Sequence, residues 1–172
     1  MTPKSLLRHK MAVSKAADLT TGSSFHRVLW DDAERGNSQL QLKPDSDIKR
    51  VVLCSGKVYY DLLEERDARG LDDVYLLRVE QFYPFPAQSL VKELSRFKGA
   101  QMVWCQEEPK NQGAWTFIEP NIEWVLNRIE ATHQRPVYVG RAASASPATG
   151  LASSHKAQQQ ALVDEALTVE GK

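Results

Sequence analysis

From Lys49 onward the apolar positions fall into a repeating pattern, a short run of aliphatic and β-branched residues followed by a longer segment with helical spacing. The runs are Arg50–Cys54 (RVVLC), Val74–Val79 (VYLLRV), Gln101–Cys105 (QMVWC) and Pro136–Val139 (PVYV). Between them, Val58, Tyr59, Leu62 and Leu63 form one stripe, and Leu90, Val91, Leu94 and Phe97 a second. Ile118, Ile122, Val125 and Ile129 form a third, with Pro120 placed in a first helical turn. A fourth helix is expected from Ser153 to Leu167, with Ala161, Leu162, Ala166 and Leu167 as its apolar face. Parallel neighbours require a crossover, and near-continuous apolar strands need cover on both faces. The pattern therefore predicts an α/β domain, a three-layer open and mostly parallel sheet, over residues 47–172. One strand is allowed to run antiparallel, without assignment.

Residues 1–46 lack a sustained period and carry turn formers such as Thr20-Thr21-Gly22-Ser23-Ser24. They read as tail and linker. The stretches "SLLRHKMAV" and "FHRVLW" hold apolar groups with no evident partner in the chain.

Composition narrows the function classes. A chain of 172 residues suits one domain plus extra length. Its 22 basic and 22 acidic residues cancel, so no summed field draws in nucleic acid or an anionic membrane. No apolar run approaches the roughly 20 residues that span a bilayer, and the N-terminus has no signal-like apolar stretch. The cytoplasm is the expected compartment. Cys54 and Cys105 each close an apolar run, which suits reduced thiols, and the four histidines are scattered without metal-ligand spacing.

In an open α/β sheet, ligands bind beyond the carboxyl ends of the strands. The first loop there offers Ser55 as a helix N-cap, Gly56 as a residue able to take φ > 0, and Lys57 in the first helical turn, where its charge opposes the helix dipole. Lys57 either swings into solvent or meets a phosphate or a partner's carboxylate. Arg141, directly after the last strand, is either a plain exposed arginine or a fork for phosphate or carboxylate. Arg78, inside the second strand, needs a partner, and a structural ion pair is the expectation. In "EQFYPFP" the prolines stiffen the loop, leaving Tyr83 and Phe85 to pack on a neighbouring subunit or to stack on a ligand base.

The stretch "CQEEPKNQGAW" gathers the most polar groups. Glu107 and Glu108 diverge if the chain is extended, so adjacency gives no acid/base pair. Glu107 is expected to accept backbone N–H bonds from the Asn111-Gln112-Gly113 turn. Gln106, taken as the first residue past the strand, is the better ligand contact.

Six motifs, "PKSLLRH", "VVLCSGKVYYDLL", "LRVEQFYPFP", "VWCQEEPKNQGAW", "GRAASASPATG" and "HKAQQQALVDEAL", appear in order and cover nearly the whole chain. Together they resemble the C-terminal end of the thiamine-diphosphate-dependent decarboxylating component of the 2-oxoglutarate dehydrogenase complex, in a bacterial form. The resemblance implies a transketolase C-terminal-like fold, with the first 46 residues ending a pyrimidine-binding domain. It implies that the full enzyme decarboxylates 2-oxoglutarate on thiamine diphosphate and magnesium and passes the succinyl group to lipoamide on the succinyltransferase component. The family's Gly-Asp-Gly magnesium motif is missing here, so no catalytic residue, cofactor or metal ligand is assigned to this chain and it is expected to be inactive alone. The resemblance further implies a homodimer and a possible AMP or acetyl-CoA effector, for which Ser55, Lys57, Gln106 and Arg141 are the candidate contacts. Two other readings stand beside it: a free-standing flavodoxin-like nucleotide or acyl-CoA binder, and an enzyme using Glu107 and Glu108.

Overall fold

A computed structural model describes residues 3–169. Its strands are β1 (Val28–Leu29), β2 (Arg50–Cys54), β3 (Val74–Val79), β4 (Gln101–Pro109) and β5 (Val137–Arg141), and its α-helices are α1 (Val58–Arg69), α2 (Ala87–Leu94), α3 (Trp115–Arg128) and α4 (Ala152–Leu167). The strand order is β1-β3-β2-β4-β5. β3, β2, β4 and β5 run parallel to one another, and β1 alone runs antiparallel, against β3.

Successive residues of a strand point to opposite faces, and here both faces are filled. Val51, Leu53, Tyr75, Leu77, Met102 and Trp104 pack with Leu90 and Leu94 of α2 and Ile118, Ile122 and Val125 of α3. The alternate residues Val52, Cys54, Leu76, Val103 and Cys105 pack with Tyr59 and Leu62 of α1 and Leu162 and Ala166 of α4. That two-sided cover is why all five residues of β2 are buried and why the strands carry no polar alternation. Arg50 is an exception in type but not in function. Its guanidinium donates to the carbonyls of Glu165 (2.9 Å) and Ala166 (3.1 Å) and to Gln101 Oε1 (2.6 Å), tying the C-terminal turn of α4 to the sheet.

Several expectations change. The antiparallel strand is none of the four read from the pattern; it lies in the segment read as tail, and a two-residue strand is too short to show a period. That segment also supplies Asp31, fully buried against Arg66 of α1. Asp31 accepts further hydrogen bonds from the backbone N–H of Ala33 (2.8 Å) and Leu76 (2.7 Å). Leu7, Val13, Leu19 and Phe25, by contrast, are largely exposed. Helix α3 starts at Trp115, so Pro120 lies inside it rather than in the first turn, offering no amide hydrogen to the carbonyl one turn earlier. On α4, Ala161 is exposed and Val163 takes its place in the core. β4 extends past Cys105 to Pro109 through a register irregularity against β5.

Candidate functional site

The carboxyl edge of β2 and β4 opens into a cavity of about 580 Å³ lined by Ser55, Gly56, Lys57, Phe82, Tyr83, Trp104, Gln106, Glu107, Glu108 and Phe117, among others. The fold brings three of the four expected contacts to this cavity. Their roles differ from the reading of the sequence. Ser55 is not a helix N-cap: α1 begins at Val58, with Lys57 at the N-cap position and no side-chain cap bond. Gly56 does take the positive φ, 70°, that turns the chain from strand to helix.

Lys57 does not swing free. Its Nζ lies 2.9 Å from Asp61 Oδ2 and 3.3 Å from Glu107 Oε1. Burial pulls the ammonium pKa down, but Asp61 and Glu107 more than offset it and the net direction is upward. Glu107 thus serves Lys57 rather than the turn amides expected for it. Among the described residues the Glu108 carboxylate makes no hydrogen bond or ion pair.

Gln106 is inside β4 and only 4% exposed. Its Oε1 accepts from Trp104 Nε1 and from the Trp115 backbone N–H, each at 3.0 Å. Its Nε2 donates to the carbonyls of Glu108 (3.2 Å), Pro109 (3.2 Å) and Gln112 (2.8 Å). Five partners on one amide fold the strand end back onto the start of α3, so Gln106 organises the wall of the cavity. Gly140 makes this possible from the neighbouring strand, since a Cβ there would lie 2.5 Å from the Tyr138 hydroxyl and 2.7 Å from the Gln106 carbonyl. Burial pushes the Tyr138 phenol up to about 12, and its hydroxyl donates to the carbonyl of Arg141 at 2.8 Å.

Arg141 ends β5 and belongs elsewhere. It lines a separate cavity of about 250 Å³ with the small residues of the loop 142–149. Its Nη2 meets Gln159 Oε1 and His155 Nδ1, each at 3.1 Å. Gln159 also donates to Asp61 at 2.8 Å, so Glu107, Lys57, Asp61, Gln159 and Arg141 form one polar chain between the two cavities. Asp61 was legible in the sequence as the i+4 partner of Lys57. Gln159, Phe82 and Phe117 carried no such local signal.

No acid/base or nucleophilic constellation emerges from this geometry. The two glutamates both line the cavity, but Glu107 is held by Lys57 and Glu108 has no acid or base partner. Cys54 and Cys105 are buried in-register neighbours on β2 and β4. Burial pushes the Cys54 thiol up to about 12 and raises Cys105 as well, the opposite of a reactive thiolate. Among the described residues no group of three or more His, Cys, Asp or Glu side chains is placed to hold a metal ion.

Comparison with known proteins places the chain. The family model described as 2-oxoglutarate dehydrogenase C-terminal matches residues 13–167. The 2-oxoglutarate dehydrogenase E1 components of Brucella ovis, Brucella canis and Brucella suis are each 66% identical over 168 residues. The match covers 97% of this chain but only 17% of each relative's length. The chain belongs to the 2-oxoglutarate dehydrogenase C-terminal family.

Proposed function

We propose that this chain serves as the C-terminal dimerisation and regulatory domain of a 2-oxoglutarate dehydrogenase E1 component. The observation that carries the reading is the asymmetry of the match, which takes in almost all of this chain and about a sixth of its relatives. In the whole protein, decarboxylation of 2-oxoglutarate and succinyl transfer to the lipoamide of the succinyltransferase component belong to parts outside this chain, which also hold thiamine diphosphate and magnesium. Residues here contribute shape and contacts. Phe117 and Trp124 of α3, and Tyr83 in the same cavity wall as Phe117, are 41%, 56% and 84% exposed, an apolar surface suited to a second subunit. No helix among the described residues is long and apolar enough to cross a membrane, and the cytoplasm is the proposed compartment.

The regulatory part of the proposal concerns AMP or acetyl-CoA at the carboxyl edge. Phe82, Tyr83 and Phe117 offer aromatic faces for an adenine ring, with Ser55 and Gln106 in the same wall. Lys57 already satisfies two carboxylates, so a phosphate would have to compete with Asp61 and Glu107 for it. Arg141 would contact only a ligand that reaches its own cavity.

Two measurements test the reading. The purified chain with added thiamine diphosphate and magnesium is expected to show no 2-oxoglutarate decarboxylation, and turnover abolished by Glu107→Gln would replace this proposal with an enzyme built on the glutamates. Calorimetry with AMP and acetyl-CoA on wild type, Tyr83→Ala, Lys57→Ala and Arg141→Ala assigns the effector contacts. A heat of binding unchanged in all three variants removes the effector from this edge.

A further inference from the structure

Arg78 is not accounted for by the domain role. It sits in β3, with its side chain only 13% exposed, where a charge ordinarily demands a close partner. The expected structural ion pair forms with Glu80, but at the long end of the range. Its Nε is buried without a hydrogen bond, the nearest carboxylate oxygen, Glu80 Oε1, is 4.0 Å away, and Nη1 reaches only the Tyr60 hydroxyl at 3.5 Å. The guanidinium is held in place instead by stacking, 4.1 Å above the Tyr59 ring and 5.7 Å from that of Tyr60.

This fixed cation faces a cavity of about 650 Å³ beneath the N-terminal segment. Lys10, Lys15 and Arg35 line the same space, against the carboxylates of Asp18 and Asp32. Asp18 is paired with a cation, whereas Asp32 is held by neutral donors and keeps its charge, so four cations face two carboxylates. Asp32 accepts from Tyr59 (3.0 Å) and Asn37 (3.0 Å), and Asp18 lies 3.8 Å from Arg35. Among the described residues Lys10 and Lys15 form no ion pair. Four cations around one space, two of them unpaired lysines and a third a buried fork lacking a close carboxylate, make a surplus of donors that the protein itself does not use.

We propose that this cavity is an anion site, distinct from the carboxyl-edge cavity, which takes a diphosphate-sized group with Arg78 as its central ligand. The stacking on Tyr59 and Tyr60 keeps the fork oriented without neutralising it, and the lysines close over the anion from the N-terminal side. Diphosphate suits the space better than a carboxylate because its oxygens can accept from several separated donors at once.

The test is calorimetric titration of the 172-residue chain with inorganic pyrophosphate at low ionic strength, with succinate in parallel. Pyrophosphate is expected to bind saturably, to weaken as salt rises, and to bind about tenfold more tightly than succinate. Arg78→Met, which keeps an apolar stem under the tyrosine rings, is expected to weaken binding by at least about tenfold, and Lys10→Ala with Lys15→Ala, both on the exposed segment, by several-fold. Lys98→Ala, an exposed lysine that lines neither cavity, leaves it unchanged. Absence of saturable binding overturns the proposal, as does wild-type affinity in Arg78→Met, or succinate bound as tightly as pyrophosphate. If Arg78→Met does not fold, an unchanged affinity in the double lysine variant overturns it.

Discussion

Arg66 and Arg78 sit at opposite ends of the same helix–strand pair, one on α1 against the start of β3 and one on β3 against the start of α1, and they are treated in opposite ways. Arg66 is fully buried and closed off by Asp31, by Asp67 at 2.9 Å and by the Val74 carbonyl at 3.3 Å. Arg78 has two aromatic rings and a single carboxylate, Glu80, 4.0 Å away. A buried cation surrounded by acceptors is a part of the fold, whereas one that is stacked but unneutralised is available to something else. Gln106 belongs with Arg66 in this respect, and the unpaired Glu108 with Arg78.

That contrast can be broken by measurement. Asp31→Ala leaves the Arg66 charge buried without its main partner and is expected to cost about 3–5 kcal/mol in chemical denaturation; a cost below about 1 kcal/mol would mean that Arg66 finds water or Asp67 sufficient. Gln106→Ala abandons donors and acceptors at the end of β4 and is expected to cost about 1–3 kcal/mol, with the loop to Trp115 exchanging amide hydrogens faster. Arg78→Met is expected to cost only about 0.5–2 kcal/mol, the worth of the stacked cation. A loss as large as that of Asp31→Ala would erase the distinction between the two arginines.

The smallest effect concerns Arg96, an intermediate case paired on the surface with Asp45 at 2.8 and 3.0 Å. Hydrogen bonds from Arg96 hold the Asp45 carboxyl below its ordinary value of 3.8. Because the folded-state pKa is the lower one, its contribution is present above that pH and lost as the pH falls. Asp45→Asn is therefore expected to lower stability slightly at neutral pH and to leave it almost unchanged at the acid end, flattening the acid limb of the profile.

The four parallel strands and their helices were legible because two-sided burial forces unbroken apolar runs, and helices covering such a sheet must show stripes such as Leu90-Val91-Leu94. Family membership was legible from extended motifs. The site was less so. Lys57 and Gln106 were found at the right edge, but their partners, Glu107 across the sheet and the carbonyls of the folded-back turn, come together only through tertiary contact. Arg141 was read as part of the same group because strand ends share an edge, yet β5 and its small-residue loop carry it into a different cavity. Asp31 was missed altogether, since a lone acid in an aperiodic stretch carries no sign that it will be buried 35 residues from its partner.

β1 consists of two residues, paired as Val28 with Val79 and Leu29 with Arg78. Small as it is, it occupies the ladder positions at one margin of the sheet that would otherwise offer unpaired N–H and C=O groups to any passing strand. A variant that unzips β1 while leaving Asp31 in place against Arg66 would keep most of its core and its cavity at the carboxyl edge. It would also acquire a sticky margin, and its expected failure is self-association into oligomers that grow with concentration rather than loss of secondary structure.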